Sequence, residues 1–257
     1  DDIDFSPNIA VITNLLQDHM DYHSGTENYY EAKKNIINFQ GPKDVFVYNQ
    51  KYKKLVSWAK KSFSKTIPFI KDISFKDYKI TLIGEHNKEN IKAAITVAKI
   101  FNVSDGAIKQ TIENFKGLPH RLEFVGEFAG IKFYDDAIST TPESTIEAIK
   151  SLQDVDTIFL GGEDRGYNFF KLEKVIKKYK IKNIVLFPKS GKRIIKQAKG
   201  LNILKTSNME KAVKFALRYT KKGNICLLSC ASPSYSLWKN FEEKGDQFQL
   251  MVKNNQV

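Results

Sequence analysis

The chain has 257 residues, 42% of them hydrophobic, and a formal net charge of +12. That length and apolar content suit two modest domains or one large one and exclude wholesale disorder. No apolar run reaches the length of a membrane span and no secretory signal precedes the first strand, so no membrane partner is expected. The chain starts at Asp1 without a methionine and runs almost directly into an apolar strand, so it reads as part of something longer. The charge makes polyanions possible partners. The lysines are dispersed, however, with no Arg-rich arm and no aromatic nucleic-acid motif, so nucleic acid ranks last and anionic small substrates such as nucleotides fit the sign equally well.

In chain order, the apolar run Ile9 to Ile12 predicts a buried strand ending at Thr13 and Asn14. Asp18, His19 and Asp21 then crowd into a loop, and Thr26 starts a helix with Glu27 in its first turn, where acid suits the helix dipole. On that helix Tyr29, Ile36 and Ile37 form an apolar side with Lys33 among them. Burying an ammonium is costly, so Lys33 has two readings. Its stem can be buried while its nitrogen reaches water. Alternatively the amine is neutral and chemically used, since desolvation lowers a lysine pKa. His19 and the nearby acids make a phosphate or metal site conceivable.

Next come a strand Asp44 to Tyr48, a helix Lys54 to Ser62, a short strand Thr66 to Ile70 and a weaker strand Asp77 to Gly84. Glu85 opens a long helix to about Phe101, and Ser104 caps another that ends near Phe115. Gly117-Leu118-Pro119 breaks the pattern, placing a domain boundary between 1–117 and 118–257. Leu122 to Tyr134 alternates around Ala129-Gly130, a hairpin pattern, and Pro142 suits the first turn of a helix. Strands at Thr157–Leu160, Asn183–Phe187, Asn202–Leu204 and Ile225–Ser229 then alternate with helices at Phe169–Tyr179, Lys192–Ala198, Glu210–Tyr219 and Leu237–Val252. This implies an α/β fold with a parallel sheet covered on both faces, whose ligands bind at the carboxyl ends of the strands. Cys226 and Cys230 are a poor disulfide pair and too few for zinc, so they read as buried free thiols.

The predicted strand ends carry Asp135-Asp136, Gly161-Gly162-Glu163-Asp164-Arg165-Gly166, and Ser229 to Tyr235. The glycine loop lacks the third spaced glycine of a dinucleotide fingerprint, and no phosphate-gripping Gly-x-x-x-x-Gly-Lys-Ser/Thr loop occurs. Arg121, at the boundary, is either a surface ion pair or a bidentate phosphate clamp. Asp136 is either a turn residue or an acceptor for a sugar hydroxyl. Arg165 is a surface charge or a carboxylate ligand. Ser232-Pro233-Ser234-Tyr235 either caps the last helix or offers hydroxyls to a ligand.

Four motifs, in this order, resemble the Mur ligases of bacterial cell-wall synthesis, nearest to their glutamate-adding members. They are Thr13-Asn14 with Asp18-His19-Met20-Asp21 and Ala32-Lys33; Gly84-Glu85-His86-Asn87 with Asn90; Gly117-Leu118-Pro119-His120-Arg121-Leu122-Glu123 with Asp135-Asp136; and Leu227-Leu228-Ser229 through Ser234 to Lys239-Asn240-Phe241-Glu242 and Gly245. The resemblance implies the later part of a central ATPase domain followed by a Rossmann-like, glutamate-binding C-terminal domain. It implies a cytoplasmic, monomeric, ATP-dependent ligase that joins glutamate to UDP-N-acetylmuramoyl-L-alanine through an acyl phosphate. The D enantiomer is the first expectation and L-glutamate the alternative. A fragment that binds nucleotide or glutamate without turnover is the other reading.

By the same resemblance Lys33 is carbamylated and, with His19, ligates Mg²⁺. Asn14, His86, Asn87, Asn90, Arg121 and Asp136 serve ATP. Thr140, Arg165, Ser234, Tyr235 and Phe241 line the amino-acid pocket. The chain departs from the usual glutamate-ligase pattern at Asp136-Ala137-Ile138-Ser139-Thr140-Thr141-Pro142-Glu143, where many members have Asp-Ser-Lys-Ala-Thr-Asn. It departs again at Arg165, which stands where those members have a lysine.

Overall fold

A computed structural model describes residues 5–15, 25–195 and 199–255. The chain divides into two compact units, Asp1–Lys116 and Gly117–Val257.

The first unit is built on a parallel three-stranded sheet, β1 (Ile9–Ile12), β2 (Val45–Tyr48) and β3 (Lys65–Pro68), in that order. Successive side chains of β2 point to opposite faces, and both faces are covered. Phe46 packs with Ala10, Ile12, Leu55 and Trp58, on the side of α1 (Thr26–Asn38) and α2 (Lys53–Lys61). Val47 packs with Phe69 and Ala93, the latter on α3 (Glu85–Ile100). Burying a side chain such as Phe46 contributes about 2–3 kcal/mol, which is why a four-residue strand suffices here. α4 (Asp105–Asn114) closes the unit, its first turn capped by Ser104 Oγ accepting from Ala107 N–H at 3.3 Å.

Two expectations fail in this unit. Residues 77–84 form no strand; a 3-10 turn at Phe75–Asp77 leads into irregular chain, with Thr81 Oγ1 bonded to the Phe115 carbonyl. The apolar side of α1 is also narrower than expected. Tyr29 and Ile37 are buried, but Ile36 is exposed, so the seam is the i, i+8 line through Lys33 rather than a broad face.

The second unit opens with a hairpin, β4 (Glu123–Phe128) and β5 (Ile131–Asp135), turning at Ala129 and Gly130, both at positive φ as a tight two-residue hairpin requires. α5 (Pro142–Leu152) follows, with Thr141 and Ser144 forming a reciprocal cap and Pro142 in its first turn. Then come β6 (Val155–Gly162), α6 (Phe170–Lys178), β7 (Asn183–Lys189), the short α7 (Gly191–Ile194), β8 (Asn202–Lys205), α8 (Met209–Tyr219), β9 (Ile225–Leu228) and α9 (Phe241–Asn254). The sheet order is β4-β5-β9-β6-β7-β8, all parallel except β4. Every residue of β6 is buried, the continuous apolar run of a strand covered on both faces. On one face Phe133, Phe159, Val185 and Leu228 pack against Ala212, Val213 and Ala216 of α8 and Phe248 and Val252 of α9.

α7 ends at Ile194, and residues 196–198 of the expected helix lie outside the described residues. α9 begins four residues later than expected. Asn240, not Ser232 or Ser234, caps it, its side chain accepting from Glu243 N–H at 2.9 Å. Ser234 instead turns the chain, its carbonyl accepting from Leu237 and Trp238. Among the described residues no helix is long and apolar enough to cross a membrane.

Candidate functional site

In the second unit β9, last in sequence, inserts between β5 and β6. The strand order reverses there, and the crevice beyond the carboxyl ends at such a reversal is where open α/β sheets bind ligands. Three segments converge on it: Asp135-Asp136 at the end of β5, the Gly161–Gly166 loop at the end of β6, and Ser229–Tyr235 after β9.

The β6 and β9 loops are stitched together. Gly161 N–H donates to the Cys230 carbonyl and Glu163 N–H to the Pro233 carbonyl, both at 2.8 Å. Gly162 makes this approach possible, and Gly161 lets β6 lie close against Phe187 of β7. A Cβ on Gly161 would meet the Phe187 carbonyl at 2.5 Å, and one on Gly162 would collide with the Pro233 carbonyl; both have positive φ. Beyond them, Glu163 pairs with Lys189 at 2.6 Å and Asp164 pairs with Arg193. Arg165, the next residue along the loop, is half-buried and adds a further cation to it.

Asp136 is 3% exposed. Its Oδ1 accepts from Leu122 N–H at 3.2 Å and its Oδ2 from Ser229 Oγ at 2.8 Å. Burial pushes its carboxyl up to about 6, against the opposing pull of the Ser139, Ser229 and Leu122 hydrogen bonds and the Arg121 charge. Ser229 also bonds Thr145 Oγ1 at 2.9 Å, tying the Asp136 carboxylate to α5. Asp135, wholly buried, accepts from Ala137 N–H at 2.9 Å and pairs with His120 Nδ1 at 2.7 Å. Arg121 itself is exposed, on a turn whose flanking residues His120 and Leu122 both have positive φ.

Ser234 is 3% exposed, and its Oγ has no hydrogen-bond partner among the described residues. A buried hydroxyl left this way is costly unless a ligand completes it. Tyr235 beside it is exposed, Thr140 is half-buried just before the Thr141 cap, and Phe241 lies edge-on to the His120 ring, centroids 6.2 Å apart. Asp136, Thr140, Arg165, Ser234, Tyr235 and Phe241 thus belong to one unit and, apart from Phe241 at the start of α9, follow the carboxyl ends of three neighbouring strands.

In the first unit Asn14 is exposed just beyond β1, its Nδ2 3.2 Å from Thr13 Oγ1. Tyr30 of α1 reaches the Leu15 carbonyl at 3.3 Å, anchoring the helix that carries Lys33 to the end of that strand. Lys33 is half-buried with its Nζ 4.8 Å from the Tyr29 ring centroid. Asn87 and Asn90 share one face of the first turns of α3. Asn87 donates to the Ile83 carbonyl at 2.8 Å, and Asn90 Nδ2 lies 3.3 Å from Asn87 Oδ1. His86 precedes them on the same turn, which starts from Gly84 at positive φ. Asp18, His19 and Asp21 lie outside the described residues.

The structure adds Gln249 and Lys244 to the residues read from the sequence and gives Ser229 its partners. Lys244 is fully buried on α9, and its Nζ has no hydrogen-bond partner among the described residues. It acts electrostatically on Cys230, whose thiol burial raises above the usual range, with Lys244 opposing and Asp135 and Asp136 reinforcing. The signal was present in the sequence: Lys244 heads an i, i+4, i+8 line with Phe248 and Val252, the pattern that singled out Lys33. Both cysteines are buried free thiols, as expected. A cleft of about 430 Å³ lies beyond β7 and β8, lined by Phe187, Gly191, Lys192, Lys205 and Thr206, and none of the residues singled out above lines it.

Residues 1–76 match the Mur ligase middle domain, and residues 120–232 match the Mur ligase glutamate ligase domain. The chain belongs to the Mur ligase family. A UDP-N-acetylmuramoylalanine–D-glutamate ligase of Enterococcus hirae is 35% identical over 272 residues, covering 97% of this chain and 59% of the relative. One of Aquifex aeolicus is 33% identical over 261 residues, covering 97% of this chain and 63% of the relative. The chain therefore spans about three-fifths of the Mur ligases it matches. Among solved structures, a MurF ligase of Thermotoga maritima in complex with ADP superposes with a TM-score of 0.76 at 18% identity, covering 97% of this chain and 63% of that one. The α/β fold with parallel sheets is thus that of the Mur ligases.

Proposed function

We propose that the protein to which this chain belongs is a cytoplasmic ATP-dependent ligase of peptidoglycan precursor synthesis, adding D-glutamate to UDP-N-acetylmuramoyl-L-alanine. The observation that most supports this reading is the crevice at the reversal of strand order. There a buried, unpartnered Ser234 hydroxyl and the Arg165 loop adjoin Asp136 and its Arg121 turn.

The reaction divides into two steps. The acceptor's alanyl carboxylate attacks the γ-phosphorus of ATP, forming an acyl phosphate and releasing ADP. The glutamate amine then attacks the acyl carbon, loses a proton and expels phosphate, leaving an amide. Such chemistry asks the protein mainly to align reactants and balance phosphate charge. Arg165 and the Ser234 hydroxyl suit the two carboxylates of glutamate, with Thr140, Tyr235 and Phe241 lining the pocket. Arg121 suits phosphate. Asp136, with both oxygens already accepting from Leu122 and Ser229, serves first to hold the Arg121 turn. Asn14, His86, Asn87 and Asn90 are the nucleotide residues proposed for the first unit.

Mg²⁺ fits Lys33 only after the amine becomes a carbamate, which offers hard oxygens to a hard cation; an ammonium offers none. Lys33 is half-buried, with its nitrogen 4.8 Å from the Tyr29 ring centroid. His19 is the second proposed ligand. The ion would supply charge neutralisation at the phosphates. In the full-length protein Lys33→Ala should lower kcat by about 100-fold or more, with partial recovery on adding a short carboxylic acid that replaces the lost oxygens. A variant that turns over at the normal rate would remove Lys33 from the metal site.

A further inference from the structure

His120 and Leu122, on either side of Arg121, have φ of 59° and 46°, the left-handed region that side-chain-bearing residues rarely occupy. A turn so strained must be held from outside, and each of its handles is. His120 N–H donates to Glu123 Oε2 at 2.8 Å, the His120 carbonyl accepts from Ile138 N–H at 3.2 Å, and Leu122 N–H donates to Asp136. The His120 ring pairs with Asp135 at 2.7 Å.

α9 grips the same turn with one face. Phe241, Gly245 and Gln249, at i, i+4 and i+8, point the same way. The Phe241 ring lies edge-on to His120. Gly245 lets the helix backbone approach so closely that a Cβ there would stand 2.8 Å from His120 Cε1 and 2.7 Å from Asp135 Oδ2. Gln249 Nε2 donates to Glu123 Oε2 at 3.1 Å and to Asp135 Oδ2 at 2.9 Å. One amide thus joins two of the carboxylates that lock the turn to the helix whose start carries Phe241.

We infer that Gln249 is a positioning residue for Arg121, and that through it the amino-acid side of the crevice fixes the geometry of the phosphate grip. This rests on the ligase reading for the role of Arg121. The position is half-exposed and helical, so Gln249→Ala leaves folding intact.

The test uses the full-length protein and four variants: Gln249→Ala, Gln249→Lys, Arg121→Ala and the Arg121→Ala/Gln249→Ala double variant. Gln249→Ala should raise the KM for ATP about five- to tenfold while changing the KM for glutamate less than about twofold and the melting temperature little. Gln249→Lys, which keeps a donor for both carboxylates, should restore the ATP KM. The double variant should be no worse than Arg121→Ala, because the two act through one contact. An unchanged ATP KM would overturn the inference. So would additive losses in the double variant, or a fall in all parameters together with stability. If the unsubstituted protein formed no amide, the ligase reading would fail. ATP–Mg²⁺ affinities of the same four variants by calorimetry would then decide the positioning inference by the same cycle.

Discussion

Gly245→Ala should destabilise the second unit by about 1–3 kcal/mol, the range for overpacking a well-packed site. Helix propensity alone predicts the opposite, a gain of about 1 kcal/mol, because alanine is the best helix former and glycine among the worst. The two effects differ in sign, so the experiment is decisive. The added methyl would overlap the His120–Asp135 pair. Neither partner can yield cheaply: Asp135 is wholly buried with bonds to His120, Ala137 and Gln249, and the His120 backbone is held in a strained turn. A loss of this size is a large part of the stability of an ordinary domain. Urea unfolding followed by circular dichroism should show a lower midpoint for the variant. A higher midpoint would mean that α9 does not press on the His120 turn.

Asp136→Asn should leave the folded protein as stable or more stable at neutral pH. The reason lies in burial, which raises the Asp136 carboxyl from an ordinary 3.8 to about 6. Between those values the folded state binds more protons than the unfolded state. Stability therefore falls as pH rises through about 4 to 6, and the penalty stands in full above that range. A shift of this size corresponds to on the order of 1–3 kcal/mol at pH 7. The asparagine oxygen can still accept from Leu122 N–H, and the Ser229 hydroxyl can turn to accept from the new amide. Urea midpoints of both proteins at pH 4 and pH 7 check this. The variant should gain on the parent as pH rises, and a gap that did not change with pH would contradict it.

Local pattern made much of the fold legible. The helices starting at Asp105, Pro142 and Met209 carry their own periodicity and side-chain caps, the helix at Glu85 its periodicity, and the hairpin at Ala129-Gly130 its turn residues. Residues 77–84 alternate like a strand but have no neighbour to pair with, because the three-stranded sheet ends at β3. Leu237 and Trp238 continue the apolar pattern of α9, although the chain there is a turn closed on the Ser234 carbonyl.

The insertion of β9 between β5 and β6 is a long-range fact that no local signal carries, yet it creates the crevice. Motifs named Asp136, Arg165 and Ser234. They were silent on Gln249, whose importance comes only from two carboxylates more than a hundred residues earlier in the chain.

The most direct test of the central claim is the reaction itself. Full-length protein would be incubated with ATP–Mg²⁺, UDP-N-acetylmuramoyl-L-alanine and labelled D- or L-glutamate, with ADP and amide product counted separately. One ADP per amide is expected, with product formed from D-glutamate in preference to L-glutamate and both signals lost when the acceptor is left out. ADP release that ignores acceptor and glutamate, or no amide with either enantiomer, would contradict that claim.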